Sequence, residues 1–319
     1  MRILSDCPDE CRALLPAGTD WERLSPERLP EEERNLWRTV SEDDSLFAAR
    51  VPAERPDGVL CLAIIESAPS SQFSALSRLL SRGVALPSLA AVLALEGKDF
   101  RGQRDRSWIA VRGNIHLSLY ARPSRRVVEL GAGLTMLPTI SVVDAVRSLA
   151  CGVALTRVGV KWVNDVWMNG QKIAGVLSTT HVHGDVVEEV VIGIGLNVEV
   201  SPDVEPTPFV PAVGCVTEFL QSDLRWTDVA PVLLRCLVDR YRSLLRDGPD
   251  DLLRRYREES LVLGRHVRIY PEGDPAENFP IASGIVTGLD ENLTLKIAGR
   301  HHGVADGRLV LDPGDESGD

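Results

Sequence analysis

Apolar and polar positions alternate in three different ways along this 319-residue chain. Over residues 1–55 the pattern is weak, broken by proline and crowded with charge. It predicts either an appended subdomain or a partly ordered extension, with regular structure beginning at Val59. VLCLAIIES (59–67) then reads as a buried strand and SSQFSALSRLLSRG (70–83) as a helix. In that helix Phe73, Leu76, Leu79 and Leu80 share a face, and Gly83 suits a C-terminal cap. LAAVLAL (89–95) predicts another buried strand, and IHLSLYAR (115–122) alternates as a half-buried one does. A helix over about 137–150 leads into RVGVKW. In KWVNDVWMNGQKIAGVL (161–177), Lys161 and Asp165 bracket the end of one strand, Asn169-Gly170 makes a tight turn, and Lys172 opens an apolar return strand. VVEEVVIGIGLNVEV (186–200) predicts the strand that follows.

After residue 200 the texture changes. SPDVEPTPFVPAVG is a Pro-rich excursion, and two amphipathic helices are expected over about 227–246 and 249–260. From Gly264 the short runs RHVRIY, IASGIVTGLD, LTLKIAG and RLVLD, separated by tight turns, predict a small five-strand barrel. The closing DPGDESGD is expected to be disordered. The expected organisation is an extension (1–55), an α/β (α+β) domain (56–261), a small barrel (262–313) and a tail (314–319).

Composition narrows the function classes. Thirty-five basic against 46 acidic residues give a net charge of −11, which disfavours nucleic acid as the main partner. Residues 1–55 hold eight Arg, no Lys and thirteen Asp and Glu, a poor composition for a DNA-reading helix-turn-helix. No apolar run approaches the roughly 20 residues that span a bilayer, and the N-terminus lacks a secretory pattern, so a cytoplasmic location is the expectation. The cysteines at 7, 11, 61, 151, 215 and 236 are scattered. Cys7 and Cys11 make half a metal site without a second pair, and are read as reduced, structural thiols. His181, His183, His301 and His302 are assigned to turns.

Three stretches carry candidate chemistry. In the loop 96–108, Arg101, Arg104 and Arg106 surround Gly102, a composition that can wrap a phosphate and equally suits a solvated basic loop. Lys172, on a strand beside the small Gly175, can hold a fixed positive charge against an acyl or phosphate oxygen, or simply snorkel from an edge. In VIGIGLNV, Gly193 and Gly195 open one face of a strand and Asn197 follows on that face; a bulge is the bland alternative.

In this order and at these intervals the three stretches resemble the biotin–protein ligase family. That family carries S-T-N, then G-R-G-R-x-G-R-x-W, K-W-P-N-D, K-(I/L)-A-G-I-L and G-x-G-x-N. Here the matching residues are Ser70-Ser71-Gln72, the loop from Phe100 to Trp108, Lys161-Trp162-Val163-Asn164-Asp165, Lys172-Ile173-Ala174-Gly175-Val176-Leu177 and Gly193-Ile194-Gly195-Leu196-Asn197. The resemblance runs from about residue 59 to 311. It implies a mixed central sheet flanked by helices, a class II synthetase-like catalytic domain, and a C-terminal SH3-like β-barrel.

The resemblance also implies a two-step acyl transfer that uses ATP, Mg²⁺ and biotin. Biotin's carboxylate attacks the α-phosphate, and a lysine of a biotin carboxyl-carrier protein then attacks biotinyl-AMP. Lys172, Asp165 and Arg104 are the expected catalytic residues. Ser70, Ser71, Gln72, Arg101, Gly102, Gln103, Arg106, Lys161, Asn164 and Gly175 are expected to bind substrate. Gly193, Gly195 and Asn197 would floor the site, and Trp108 could cover the adenine. No metal cage of protein ligands, nucleic acid or membrane is expected, and an exposed sheet edge could allow a homodimer.

The departures concentrate in the loop. Phe100, Gln103 and Asp105 stand where the family has Gly, Arg and Gly. Gly97 stands where the family has a glutamine that it uses on the biotin head group, and Val163 replaces a proline. Asp105 would either repel a phosphate or pair with Arg104 or Arg106, and biotinyl-AMP is expected to be held less tightly than usual. These departures keep two alternatives open: a ligase for lipoate or octanoate, and a ligand-binding homologue without turnover.

Overall fold

The computed structural model describes residues 1–42, 45–51, 61–150, 157–272 and 279–312. Cys151, the 55/56 boundary and the expected tail from 314 lie outside these residues.

Regular structure begins at Arg2 rather than Val59. The N-terminal stretch contributes β1 (Arg2–Ser5), β2 (Glu22–Leu24), α1 (Glu31–Val40) and β3 (Leu46–Arg50). β1 lies antiparallel to β3 and parallel to β4 (Cys61–Ala68), so these residues extend the central sheet. The apolar stripe of α1, Leu36, Trp37 and Val40, closes over one sheet face. Cys7 and Cys11 turn toward each other in the other core cluster, sulfurs 3.9 Å apart and both near Ser5 Oγ.

α2 (Gln72–Ser77) covers only the first half of the predicted helix, because turns take over from Arg78 and Gly83. β5 (Leu89–Gly97) and β6 (Ile115–Ala121) follow, and β6 is buried on both faces rather than one. A two-residue strand β7 (Arg125–Arg126) and the short α3 (Val127–Leu130) lead into α4 (Gly133–Leu149), which starts a turn earlier than expected. By length and composition, residues 127–149 could cross a membrane. Here most of that stretch, α4, packs in the core, with Leu137, Ile140 and Val143 fully buried.

The expected hairpin is present as β9 (Asp165–Met168) and β10 (Gln171–His183), the strand predicted after it as β11 (Val186–Leu196), and β8 (Val158–Lys161) precedes them to make a four-strand meander. Asn169 and Gly170 have φ of 48° and 79°, the left-handed pair that the predicted tight turn needs. The sheet runs β2-β3-β1-β4-β5-β6-β11-β10-β9-β8, with β7 on β11. The β8 edge is covered, since Val160 accepts from Leu261 and donates to Glu259 along the main chain.

Three helices complete the main unit: α5 (Val216–Leu220), α6 (Trp226–Asp247) and α7 (Asp250–Glu258). The last two occupy the predicted ranges. The C-terminal strands β12 (His266–Tyr270), β13 (Ala282–Leu289), β14 (Leu295–Ile297) and β15 (Arg308–Leu311) form a four-stranded antiparallel sheet, one strand fewer than expected. Trp162 Nε1 donates to Leu293 O at 2.8 Å, and Arg257 to Leu289 O at 2.7 Å, tying this sheet to the site described next.

Candidate active site

Strand register places one rung of residues across five strands. Lys161 pairs with Asp165, Asp165 with Gly175, Gly175 with Gly195, and Gly195 with His116. Directly paired residues share a sheet face, so all five project the same way. A cavity of about 360 Å³ sits over this rung, a size suited to a small ligand.

Lys172 reaches the cavity through a backbone irregularity. The β9–β10 register shifts between Lys172 and Ala174. Such a bulge re-aims the side chains beside it. A Cβ built on Gly175 would lie 3.4 Å from Lys172 Nζ, so the amine leans over the space that this glycine leaves. There Nζ pairs with Asp165 Oδ1 at 2.8 Å and lies 5.8 Å from the Trp108 ring centroid. Both members of the ion pair are about four-fifths covered. The main chain of Lys172 is also fixed, donating to Ala212 O and accepting from Gly214 N, each at 3.0 Å.

Lys161 is 4% exposed. It donates to Phe209 O and sits 4.5 Å above the Trp167 ring. Burial draws its ammonium down to about 8, opposed by the attraction of Asp165. Asn164 plays a bracing part: its Nδ2 donates to Val176 O at 2.8 Å while its own carbonyl accepts from Val176 N. The Trp162–Val163 peptide, at the family's proline position, is cis.

The loop closes over the rung. Trp108 N donates to Phe100 O at 2.9 Å and Gly102 N to Arg106 O at 2.7 Å. A Cβ on Gly195 would collide with the Trp108 indole, so this glycine seats the tryptophan instead of offering open floor. Gly193 likewise seats Phe73 and Leu177. Trp108 Nε1 donates to His116 Nδ1 at 3.3 Å, leaving Nε2 to face Val111 O at 3.2 Å. Burial lowers His116 to about 4, so its ring is neutral at pH 7 with both nitrogens engaged.

Most of the residues expected from the sequence line this one cavity: Ser71, Gln72, Arg101, Gly102, Gln103, Arg106 and Trp108 from the first half. Lys161, Asn164, Asp165, Lys172, Gly175, Gly193, Gly195 and Asn197 come from the second. Two do not. Ser70 stops short of the wall. Arg104 has a left-handed backbone (φ 57°) and turns away, its guanidinium held by Glu272 and Asp306 of the C-terminal region. That placement corrects the catalytic role expected for Arg104 and makes it a fastener of the loop.

Asp105 is corrected as well. Its side chain is exposed, off the cavity wall, and pairs with neither Arg104 nor Arg106. Its φ of 58° accounts for the family's glycine there, since aspartate is among the few other residues that tolerate this region. Arg106 is steadied by Gln103 through Nε to O at 3.0 Å and Nη2 to Oε1 at 3.2 Å.

His116, Glu205, Phe209 and Arg308 also line the cavity and were not anticipated. His116 carried a signal, a polar ring in an otherwise apolar strand. The others arrive from the Pro-rich excursion and from β15, where Arg308 lies 3.6 Å over the Phe209 ring. Arg101, Arg106, Lys161, Lys172 and Arg308 thus face Asp165 and Glu205, a cationic wall in an acidic chain. Such a wall suits an anion.

The sequence profile of the biotin/lipoate A/B protein ligase family matches residues 83–197. A biotin–[acetyl-CoA-carboxylase] ligase of Paracoccus denitrificans is 40% identical over 134 residues, 40% of this chain and 55% of that protein. One from Mycobacterium tuberculosis is 32% identical over 219 residues, 66% of this chain and 74% of that protein. The chain therefore belongs to the biotin protein ligase family, although its match spans only about half the length of the Paracoccus relative. The fold agrees: the biotin protein ligase from Aquifex aeolicus in complex with biotin and ATP superposes with a TM-score of 0.58 at 20% identity, covering 79% of this chain and 98% of that one.

Proposed function

We propose that this chain joins biotin to a lysine of a biotin carboxyl-carrier domain, using MgATP and passing through biotinyl-AMP. The observation that carries the reading is the Lys172–Asp165 pair, half-buried beside Gly175 in a cationic cavity under a Gly/Arg loop.

In the first step a biotin carboxylate oxygen attacks the α-phosphorus and pyrophosphate leaves. Two anions must approach each other, and Arg101, Arg106, Lys161 and Lys172 offset their repulsion from fixed positions. Among the described residues no group of three His, Cys, Asp or Glu could hold a metal ion. Mg²⁺ enters as part of MgATP, bound through phosphate oxygens. In the second step the carrier amine attacks the acyl carbon and AMP departs. Lys172 steadies the acyl oxygen while Asp165, 2.8 Å from that ammonium, orients the amine and takes its proton. His116 is neutral and fully engaged, so it serves as wall and not as base. The closed loop excludes water from the anhydride.

Unpaired Cys7, Cys11, Cys61, Cys215 and Cys236 support a cytoplasmic setting. A side-by-side homodimer would have to use the β2 edge, because the β8 edge is occupied.

Pyrophosphate release with MgATP, offering biotin, lipoate or neither, tests the reading. Biotin-dependent release is expected. Lipoate-dependent release, or biotin binding in calorimetry without release, overturns it.

A further inference from the structure

The turn that leaves β1 brings two cysteines into contact. Ser5 ends the strand, and residues 8–11 turn before a single 3₁₀ turn at Arg12–Leu14. Cys7 and Cys11 come to lie on one side of this turn, their sulfurs 3.9 Å apart. Ser5 Oγ stands 3.5 Å from the first sulfur and 3.6 Å from the second, and it accepts from Cys7 N at 3.0 Å. The two thiols are 7% and 0% exposed and pack with Ile3 and Val51, so the core holds each against the other.

The outer side of the turn is polar and loosely closed. Asp9, Glu10, Arg12 and Ala13 are exposed, and Arg12 N reaches Asp9 O at 3.3 Å. Segments of this kind open locally at small cost, which gives a small reagent access to Cys7. The same turn is fastened to its surroundings by two carboxylates. Asp6 Oδ1 accepts from Glu66 N at 2.8 Å, and Glu10 pairs at 3.3 Å with Arg112, which also holds Glu66 and Glu96. The backbone on either side of the two sulfurs is therefore anchored while the sulfurs face each other.

We propose that Cys7 and Cys11 form a modification site, a dithiol that oxidises reversibly to an intramolecular disulfide and so staples the turn that follows β1. The sulfurs have to close from 3.9 Å to about 2.05 Å. The oxidant is a small disulfide such as that of glutathione. The Cys7 thiolate attacks one of its sulfurs, one thiolate leaves, and a mixed disulfide remains. Cys11 then attacks the Cys7 sulfur, the mixed bond breaks, and a second thiolate leaves. Two electrons and two protons pass from the cysteines to the two released thiols. The contact with Cys11, and burial, hold the Cys7 thiol well above its usual range. Exchange is therefore slow, and equilibrium is the quantity to measure. In a reducing compartment the pair rests as thiols and closes when the glutathione pool turns oxidising.

The test equilibrates the full chain in glutathione buffers of graded ratio, quenches with acid, alkylates under denaturing conditions and digests with trypsin. Residues 3–12 form one tryptic peptide that holds both cysteines. Loss of two hydrogens from this peptide, reversed by dithiothreitol, is expected. The folded chain is expected to hold the disulfide about 10-fold or more strongly than the chain in concentrated urea, because the fold already has the sulfurs in contact. The oxidised chain should then unfold at higher urea than the reduced one. Equal disulfide stability in the folded and unfolded chains overturns the proposal, since close spacing in sequence would account for it. A peptide that stays doubly alkylated, or carries only bound glutathione, at every buffer ratio overturns it as well. Both arms use the wild-type chain, so neither outcome depends on a variant that folds.

Discussion

The sheet rung and the loop above it are built by opposite means. Lys161, Asp165, Gly175, Gly195 and His116 are placed by strand register, so the ladder hydrogen bonds that hold the fold also hold the site. The loop from Phe100 to Trp108 is placed by individual side chains: Trp108 on Gly195, Phe100 over Gly97, and Arg104 bound to Glu272 and Asp306 far along the chain. A rung is rigid because many bonds share the work, whereas a loop can be released by cutting a few. On the proposed function, chemistry falls to the rung with the Lys172 amine above it, and access, with charge screening by Arg101 and Arg106, falls to the loop.

The sharpest way to break this division is Lys172→Met. Removing a fixed charge aimed at developing negative charge is expected to lower biotin-dependent pyrophosphate release about 10²- to 10³-fold. Rapid-quench kinetics reads it, and a loss below fivefold would leave the rung and the amine above it no more catalytic than the loop.

Lys161 sharpens the comparison through pH. Its folded value of about 8 lies below the ordinary 10.5, so folding favours the neutral amine and its penalty is full below about pH 8. The unfolded chain binds more protons between these values, so this group's contribution to stability improves as pH rises from 8 to 10.5. The cation that serves the reaction disappears over the same range. Pyrophosphate release is expected to fall several-fold between pH 7 and 9, while Lys161→Met is low and flat across it. A rate profile of equal shape in both proteins refutes this.

Arg104→Ala tests the loop. Its ion pairs are half exposed, and such pairs contribute roughly 0–1 kcal/mol each. About a two- to fivefold rise in the KM for ATP is expected, with kcat retained and faster proteolysis between residues 100 and 108. A collapse of kcat would return Arg104 to the chemistry. The smallest effect is expected for Asp105→Gly. It relieves a left-handed aspartate and removes an exposed carboxylate, so melting temperature and rate should move little. A large gain in activity would restore the electrostatic penalty first expected of that side chain.

Legibility in the sequence followed the same divide. The turn at Asn169-Gly170 and the strands around it were readable because their determinants are neighbours in sequence. Lys172, Asp165 and Gly175 came with them, while the bulge that re-aims Lys172 depends on pairing that no local pattern records. β1 escaped notice because four residues carry no periodicity, and its partners lie more than forty positions away. β6 read as half-buried because His116 and Ser118 mimic a polar face; α2 and the Trp108 loop cover them. The role of Arg104 was unreadable for the simplest reason: both of its carboxylate partners arrive from the C-terminal region.

Because the five residues of the rung are contributed crosswise, one from each strand, the site's tolerance for length changes depends on where they fall. Adding a single residue within β9 or β10 would invert every position beyond it and turn an aspartate or glycine to the opposite surface. Lengthening the β10–β11 turn beyond His183 would leave the rung untouched. Foreign segments can therefore be grafted at that distant tip without disturbing the pocket.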